Sequence, residues 1–414
     1  MPKKYFFSRA KRTRQISMIL VVLAVAVTGT ALLISGHAAT PYASINADTG
    51  SLSNGAAKQT CTGAADGSCV VFGGSGGTTP NFFPVGVYVQ PTSNFGLWKG
   101  RGVNTVIDVP QGNDAVAWNA AAEQQGLYMI RAASSDPASD KNNPWLLAWS
   151  LGDEPEGNGV SASTLISQYQ QLKSVDANIP VQVNFVGGSI LGLQGSCNQS
   201  CYLAYGPAFD WGSNDIYPVT GWGAPNNLTW VGQAVSKMLQ WFPNRPEFAY
   251  IETSNQLLPW IPNDTGPTAG QVRAEIWDAL IHGAHGIEYF PLACPNGGSC
   301  SFSFDATPSS VVTEITAQDA LMQNLAAPLL APLNPNNLSV SVSSSLEASW
   351  RVVGNTKYAI VLNTSNSTVN NASIGLTGFS DTQAPVYNES RTVSITNNTI
   401  TDSFTPYQVH IYQL

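Results

Sequence analysis

The sequence predicts an α/β architecture, a (β/α)8 barrel followed by a small C-terminal antiparallel β-sandwich. Two patterns predict it. From Phe82 onward short apolar runs alternate with amphipathic helical stretches, eight strand candidates over roughly 210 residues, which suits a barrel at the small end of its range. Beyond Pro335 the composition shifts to Ser, Thr, Asn and Val with period-two alternation, the mark of half-buried strands. A doubly wound open sheet is the alternative architecture, but no GxGxxG or P-loop follows any strand candidate.

Residues 1–39 carry Lys3, Lys4, Arg9, Lys11, Arg12 and Arg14, then an apolar run from Ile16 to Ile34, then small residues from Ser35 to Ala39. A basic head, an apolar stretch and a small-residue exit read as a signal peptide. A run of about 19 residues also just spans a bilayer, so an uncleaved N-terminal membrane anchor is the other reading. Either way the cations keep the N-terminus cytoplasmic and place the body outside, secreted or extracytoplasmic. Membrane contact is expected through this segment only. Residues 40–79 form a Gly/Ser/Thr-rich spacer ending in Gly73-Gly74-Ser75-Gly76-Gly77.

The barrel is assigned to residues 80–332. Its strand candidates are Val85–Val89, Thr105–Asp108, Leu127–Arg131, Leu146–Ser150, Val181–Phe185, Asp215–Tyr217, Phe248–Glu252 and Ile287–Phe290. The clearest helices between them are Ala115–Gln125, Ser163–Ser174, Val231–Trp241 and Ala269–Ile281, and Val311–Leu325 follows. Residues 333–414 form the sandwich, with strands at Ser339–Ser343, Ser349–Val353, Tyr358–Leu362, Thr392–Ile395 and Gln408–Gln413. Gly354-Asn355 between two of these is a hairpin turn.

Charged residues are only 11% of the 414, against roughly 25% in an average soluble protein, while apolar residues reach 43%. That excludes a disordered charged chain. The net charge is −8, and six of the 18 cations precede the first acidic residue, so the body is more acidic still. Such a surface repels phosphate backbones, and nucleic acid is not an expected partner. Six cysteines fall in close pairs, Cys61 with Cys69, Cys197 with Cys201 and Cys294 with Cys300. Local disulfides in an oxidising compartment explain this spacing. No pair has CxxC spacing, and only His282, His285 and His410 follow the leader, read as core or surface residues. No metal and no cofactor are expected.

Barrel chemistry sits at the C-terminal strand ends. Strand four closes with Gly152-Asp153-Glu154-Pro155-Glu156, and strand seven with Ile251-Glu252-Thr253. A carboxyl directly after an apolar strand must be solvated by a cleft or paired. Two carboxyls across one barrel mouth are what glycosidic bond cleavage requires, one to protonate the leaving oxygen and one to attack or activate water. Glu156 is read as exposed and Glu288 as structural. Asp108, closing strand two, can hydrogen-bond sugar hydroxyls, and Trp98, Trp149, Trp211, Trp222 and Trp260 are candidate stacking surfaces.

Over residues 82 to 300 the sequence resembles the clan of retaining (β/α)8 glycoside hydrolases. There an Asn-Glu-Pro after strand four supplies the acid/base and a Glu after strand seven the nucleophile. The resemblance assigns these roles to Glu154 in Asp153-Glu154-Pro155 and to Glu252 in Ile251-Glu252-Thr253. It extends to Asp215-Ile216-Tyr217-Pro218, with Tyr217 expected to hold Glu252, and to Gly286-Ile287-Glu288-Tyr289-Phe290, with Tyr289 or Phe290 flooring the reacting sugar. Asp153 stands where the clan carries Asn; it can accept a bond from a sugar hydroxyl but not donate one, and its charge raises the pKa of Glu154. Arg131 is expected either to pair with Glu252 or to keep it ionised. The expected activity is retaining hydrolysis of O-glycosidic bonds, β-linked, in a poly- or oligosaccharide by a monomer. Two alternatives stay open: a substrate-assisted N-acetylhexosaminidase using the Asp153-Glu154 pair, and a catalytically inactive glycan-binding surface protein.

Overall fold

The computed structural model describes residues 82–254, 266–294, 300–302, 307–335 and 337–414, with the backbones of 56–60 and 68–72. The chain divides into two compact units, Met1–Phe72 and Gly73–Leu414. In the first, Ala56–Thr60 and Ser68–Phe72 pair as an antiparallel hairpin. The leader, most of the spacer and the expected Cys61–Cys69 bridge lie outside the described residues. Among the described residues no helix is long and apolar enough to cross a membrane.

In the second unit eight parallel strands close a barrel: β1 (Val85–Tyr88), β2 (Thr105–Ile107), β3 (Tyr128–Arg131), β4 (Leu146–Asp153), β5 (Val181–Val186), β6 (Trp211–Asp215), β7 (Glu247–Glu252) and β8 (Gly286–Phe290). Each pairs with its neighbour in sequence, and β8 closes onto β1. The helices between and after them are α1 (Phe95–Gly100), α2 (Ala115–Gln125), α3 (Ala162–Val175), α4 (Gly187–Leu191), α5 (Gln199–Tyr205), α6 (Trp230–Trp241), α7 (Ala269–Ile281), α8 (Ser309–Asn324) and α9 (Ala326–Leu330). Side-chain alternation sorts the strands' residues into two layers. Ile107, Ile130, Ala148, Trp211 and Phe248 pack together inside the barrel. Val87, Met129, Trp149, Val183, Ile251 and Tyr289 face outward and join the larger core beneath the helices. Burial of each large apolar side chain there contributes about 1.5–3 kcal/mol.

Local sequence sets the helix starts. Asp114 caps α2 by accepting from Val116 N, Ser161 caps α3, and Thr268 forms a reciprocal capping box with Gln271 at α7. Two barrel strands differ from expectation by more than one residue at an end. Strand six is Trp211–Asp215 rather than Asp215–Tyr217, because Trp211, Ser213 and Asp215 alternate inward even though Gly, Ser and Asn are weak strand formers. Strand four runs on to Asp153 through a register shift between Ser150 and Gly152. Such a bulge re-aims the side chains that follow it.

The C-terminal domain is an eight-stranded antiparallel sheet whose halves close over a common core, the expected sandwich. After the short pair β9 (Leu292–Ala293) and β10 (Ser301–Phe302), its strands are β11 (Ser339–Ser341), β12 (Leu346–Val353), β13 (Thr356–Asn363), β14 (Val369–Thr377), β15 (Gln383–Val386), β16 (Arg391–Thr396), β17 (Thr399–Phe404) and β18 (Val409–Gln413). Val361, Ile374, Ile400, Phe404 and Tyr412 fill its core. The hairpin at Gly354-Asn355 is present, with Val353 opposite Thr356 and Gly354 at φ 59°. β14, β15 and β17 were not expected; a bulge between Val369 and Ala372 breaks the alternation of β14. β12 lies against α7, where Arg351 Nη2 donates to Leu280 O at 2.9 Å.

Candidate active site

The C-terminal ends of β4, β5, β6 and β8 surround a cleft of about 580 Å³. Asp153, Glu154 and Asp215 supply its acidic groups, and Tyr88, Tyr217 and Phe290 are among its aromatic walls.

Glu154 follows the β4 bulge with φ 47°, a left-handed backbone that a side chain other than glycine adopts only under constraint. Its amide donates to Asn184 O at 3.0 Å, and its own carbonyl accepts from Asn158 N at 2.8 Å. The strained turn is thereby pinned, with the carboxyl in the cleft. Burial pushes the Glu154 pKa up, a hydrogen bond from Asp215 partly offsets this, and the Asp153 charge raises it again. Asp215 is pushed much further up, by burial first and then by the charges of Glu154 and Asp153. The two carboxyls are hydrogen-bonded, with Asp215 donating to Glu154, and Asp215 is the member that ionises last. Asn184 Nδ2 donates to Asp153 Oδ1 at 2.9 Å, and Ser213 Oγ fixes the Asn184 carbonyl at 3.2 Å.

Glu252 closes β7 opposite Phe290 of the cleft wall. It is 1% exposed and is not itself among the residues lining the cleft. Its carboxylate accepts from Val219 N at 2.7 Å, from Thr220 N at 2.5 Å and from Thr220 Oγ1. Glu275 of α7 lies behind it; burial and the Glu252 charge push the Glu275 pKa far up. Glu275 and Glu252 share a hydrogen bond that raises Glu275 and lowers Glu252, so Glu252 is the more readily ionised of the two although burial raises its pKa as well. The expected clasp by Tyr217 is replaced by this loop, because β6 ends at Asp215 and Tyr217 begins the turn that leads to Val219.

Tyr217 instead stacks on Phe290, centroids 4.5 Å apart and planes at 16°, and Phe290 stacks in turn on Tyr88 at 5.8 Å. Phe302 meets Phe290 edge-on at 5.3 Å. It comes from β10, paired with β9 and tied back by the Cys294–Cys300 disulfide. The Cys197–Cys201 bridge pins the start of α5. Trp222 reaches the cleft because Gly188 makes room: a Cβ there would stand 2.5 Å from the indole. Aromatic faces of this kind stack on sugar C–H surfaces.

Three expected binding residues are placed elsewhere or only near the cleft. Arg131 shares the outward face of β3 with Met129 and forms a two-pronged ion pair with Asp140, at 2.8 and 3.1 Å, so it neither lines the cleft nor meets Glu252. Tyr289 likewise faces outward, its hydroxyl donating to Asp319 Oδ1 at 2.6 Å, and Phe290 alone floors the cleft. Asp108 follows β2 with φ 52°, accepts from Ser150 Oγ at 3.2 Å and is pushed up to about 6 by burial. It is not among the lining residues but adds charge beneath Tyr88. Glu156 is half-buried rather than exposed, accepting from Val186 N and Tyr202 Oη, both at 2.8 Å. Trp98, Trp149 and Trp211 are core, and Trp260 lies outside the described residues. Sequence reading passed over Asn184, Tyr88 and Tyr250 and gave Asp215 no role. The polar pair Gln182 and Asn184, alternating within an otherwise apolar strand, was the available signal.

A family model described as beta-galactosidase, Glyco_hydro_42, matches residues 159–322. A mannan endo-1,4-beta-mannosidase A from Hypocrea jecorina is 31% identical over 161 residues, 34% of this chain and 33% of that protein. The chain thus spans about a third of the length of that curated relative. Among solved structures, a GH42 beta-galactosidase from G. stearothermophilus superposes with TM-score 0.55 at 9% identity, covering 81% of this chain and 98% of that one. An alpha-amylase from Geobacillus thermoleovorans gives 0.53 at 10% identity, covering 81% and 99%. These structures share the fold. The family match and the closed parallel barrel support the resemblance to the barrel clan of glycoside hydrolases.

Proposed function

We propose that the protein is an exported glycoside hydrolase that cleaves β-linked glycans with retention, Glu154 acting as acid/base and Glu252 as nucleophile. The observation that carries this reading is Glu154: a carboxyl aimed into an open cleft, fixed by a strained backbone and raised in pKa by burial. The proton that Asp215 shares with Glu154 passes to the Glu154 carboxyl in the cleft and from there to a glycosidic oxygen. Glu252, buried beside Phe290 of the cleft wall, attacks the anomeric carbon once the loop around Val219 and Thr220 releases it. The leaving oxygen departs with the Glu154 proton; Glu154 then takes a proton from the water that splits the glycosyl ester. The family match and the mannosidase likeness make β-galactosides and β-1,4-mannans the first substrates to try. The two disulfides among the described residues fit an oxidising compartment.

The test is the anomeric configuration of the first product by proton NMR, together with Glu154→Gln and Glu252→Gln. Retention, with kcat reduced roughly 10²–10⁴-fold in Glu154→Gln and at least as much in Glu252→Gln, is the expected result. One observation favours a second reading: Asp153, Glu154 and Asp215 line the cleft and Glu252 does not. In it the 2-acetamido group of an N-acetylhexosaminide replaces the enzyme nucleophile, and Glu252→Gln keeps most of its activity on that substrate.

A further inference from the structure

Away from the cleft, α7 and the sandwich bring Asp278, His282 and Glu347 together, with one ligand atom from each lying within 4.8 Å of the others. Asp278 and His282 stand one turn apart on α7 and at its C-cap, and Glu347 comes from β12. His282 Nε2 is 2.8 Å from Glu347 Oε2 and 3.7 Å from Asp278 Oδ1. We propose that this cluster is a binding site for a divalent transition cation of the Zn²⁺ class, clamping the sandwich to the barrel.

Four observations point to a ligand. Asp278 has a side chain 1% exposed, yet no N–H or hydroxyl among the described residues satisfies its Oδ1, which is aimed into the cluster. Glu347 Oε2 and Asp278 Oδ1 converge on the same point beside His282 Nε2, and two converging carboxylates need a cation or a proton between them. Both ligands on α7 are held from behind by one helix, α6: Gly232 N donates to Asp278 Oδ2 at 2.6 Å, and Ser236 Oγ meets His282 Nδ1 at 2.6 Å. With its proton on the Ser236 side, the imidazole presents the Nε2 lone pair to the cluster, the arrangement by which outer hydrogen bonds orient metal-bound histidines. Gly232 is needed for this approach, since a Cβ there would stand 2.3 Å from the His282 ring and 2.6 Å from Asp278 Oδ2.

Metal bonds of about 2.0–2.2 Å hold ligand atoms roughly 3.3 Å apart, so small rotations of Asp278 and Glu347 complete the site. One imidazole and two carboxylates suit Zn²⁺ better than the all-oxygen shells that Ca²⁺ and Mg²⁺ take. His282 and Glu347 remain 24% and 29% exposed, leaving a route for the ion and a position for water.

The full chain, stripped with chelator and dialysed, is titrated with Zn²⁺ by calorimetry while its thermal midpoint is followed. The expected result is one Zn²⁺ per chain and a midpoint that rises with Zn²⁺. Affinity should fall more than tenfold in Glu347→Gln and in His282→Gln, and about tenfold in Ser236→Ala, which keeps every ligand. Absence of binding by the wild type with an unmoved midpoint overturns the site in favour of a shared proton. Equal binding by wild type and all three variants overturns it too, by placing the ion elsewhere.

Discussion

The carboxyl groups of Asp215 and Glu154 share a hydrogen bond inside one cleft, with the Asp153 charge beside them. Two such groups titrate as a pair, and the second proton is held by the like charge that its loss would create. The alkaline limb of the kcat/KM profile reports that loss. In Asp215→Asn the second charge is gone, so the limb is expected to move to lower pH. Profiles from about pH 4 to 9 check this; an unmoved limb removes Asp215 from the control of the proton.

Thr220 acts on the other carboxyl. Its amide and hydroxyl both donate to Glu252, and donors to a carboxylate favour the ionised form. Thr220→Val keeps the volume and removes the hydroxyl. The Glu252 pKa then rises, and the acidic limb of the profile moves to higher pH with KM little changed. Were Glu252 no nucleophile, the substitution would lower stability while leaving the acidic limb in place.

Phe302 reaches the cleft on a two-stranded loop tied by Cys294 and Cys300. Opening the bridge leaves the carboxyls untouched and loosens one aromatic wall. The double variant Cys294→Ser, Cys300→Ser is expected to raise KM several-fold, with kcat within about twofold, since stacking lost in ground and transition states alike appears in KM. Steady-state kinetics on a soluble oligosaccharide decides; an unchanged KM means that Phe302 does not touch substrate.

The barrel was legible in the sequence because buried parallel strands and amphipathic helices carry strong periodic signals. Ala115–Gln125 and Ala269–Ile281 are helices with the expected bounds. The position of Glu154 at the cleft was legible from its place after an apolar strand. Arg131 and Tyr289 were misplaced for one reason: each lies one residue from an inward position, and period-two alternation sends such neighbours to opposite faces. The start of β6 decided Tyr217 in the same way. Asp278, His282 and Glu347 gave no pattern, because the third ligand comes from another domain.

Glu288 shows what the barrel interior costs. Its carboxyl points inward from β8, accepts from Gln182 Nε2 at 2.8 Å and is pushed up to about 8 by burial. The unfolded chain releases that proton near pH 4.5, whereas the folded chain keeps it until about pH 8. The folded state thus binds more protons across this window, so this group's contribution makes stability fall as pH rises through it, levelling above pH 8. Glu288→Gln keeps an acceptor for Gln182 and never ionises. Its stability relative to wild type should therefore climb by up to about 1.4 kcal/mol per pH unit across the window. Urea unfolding at about pH 5, 6.5 and 8 measures it, and parallel curves for the two proteins would show that Glu288 is solvated in the folded state.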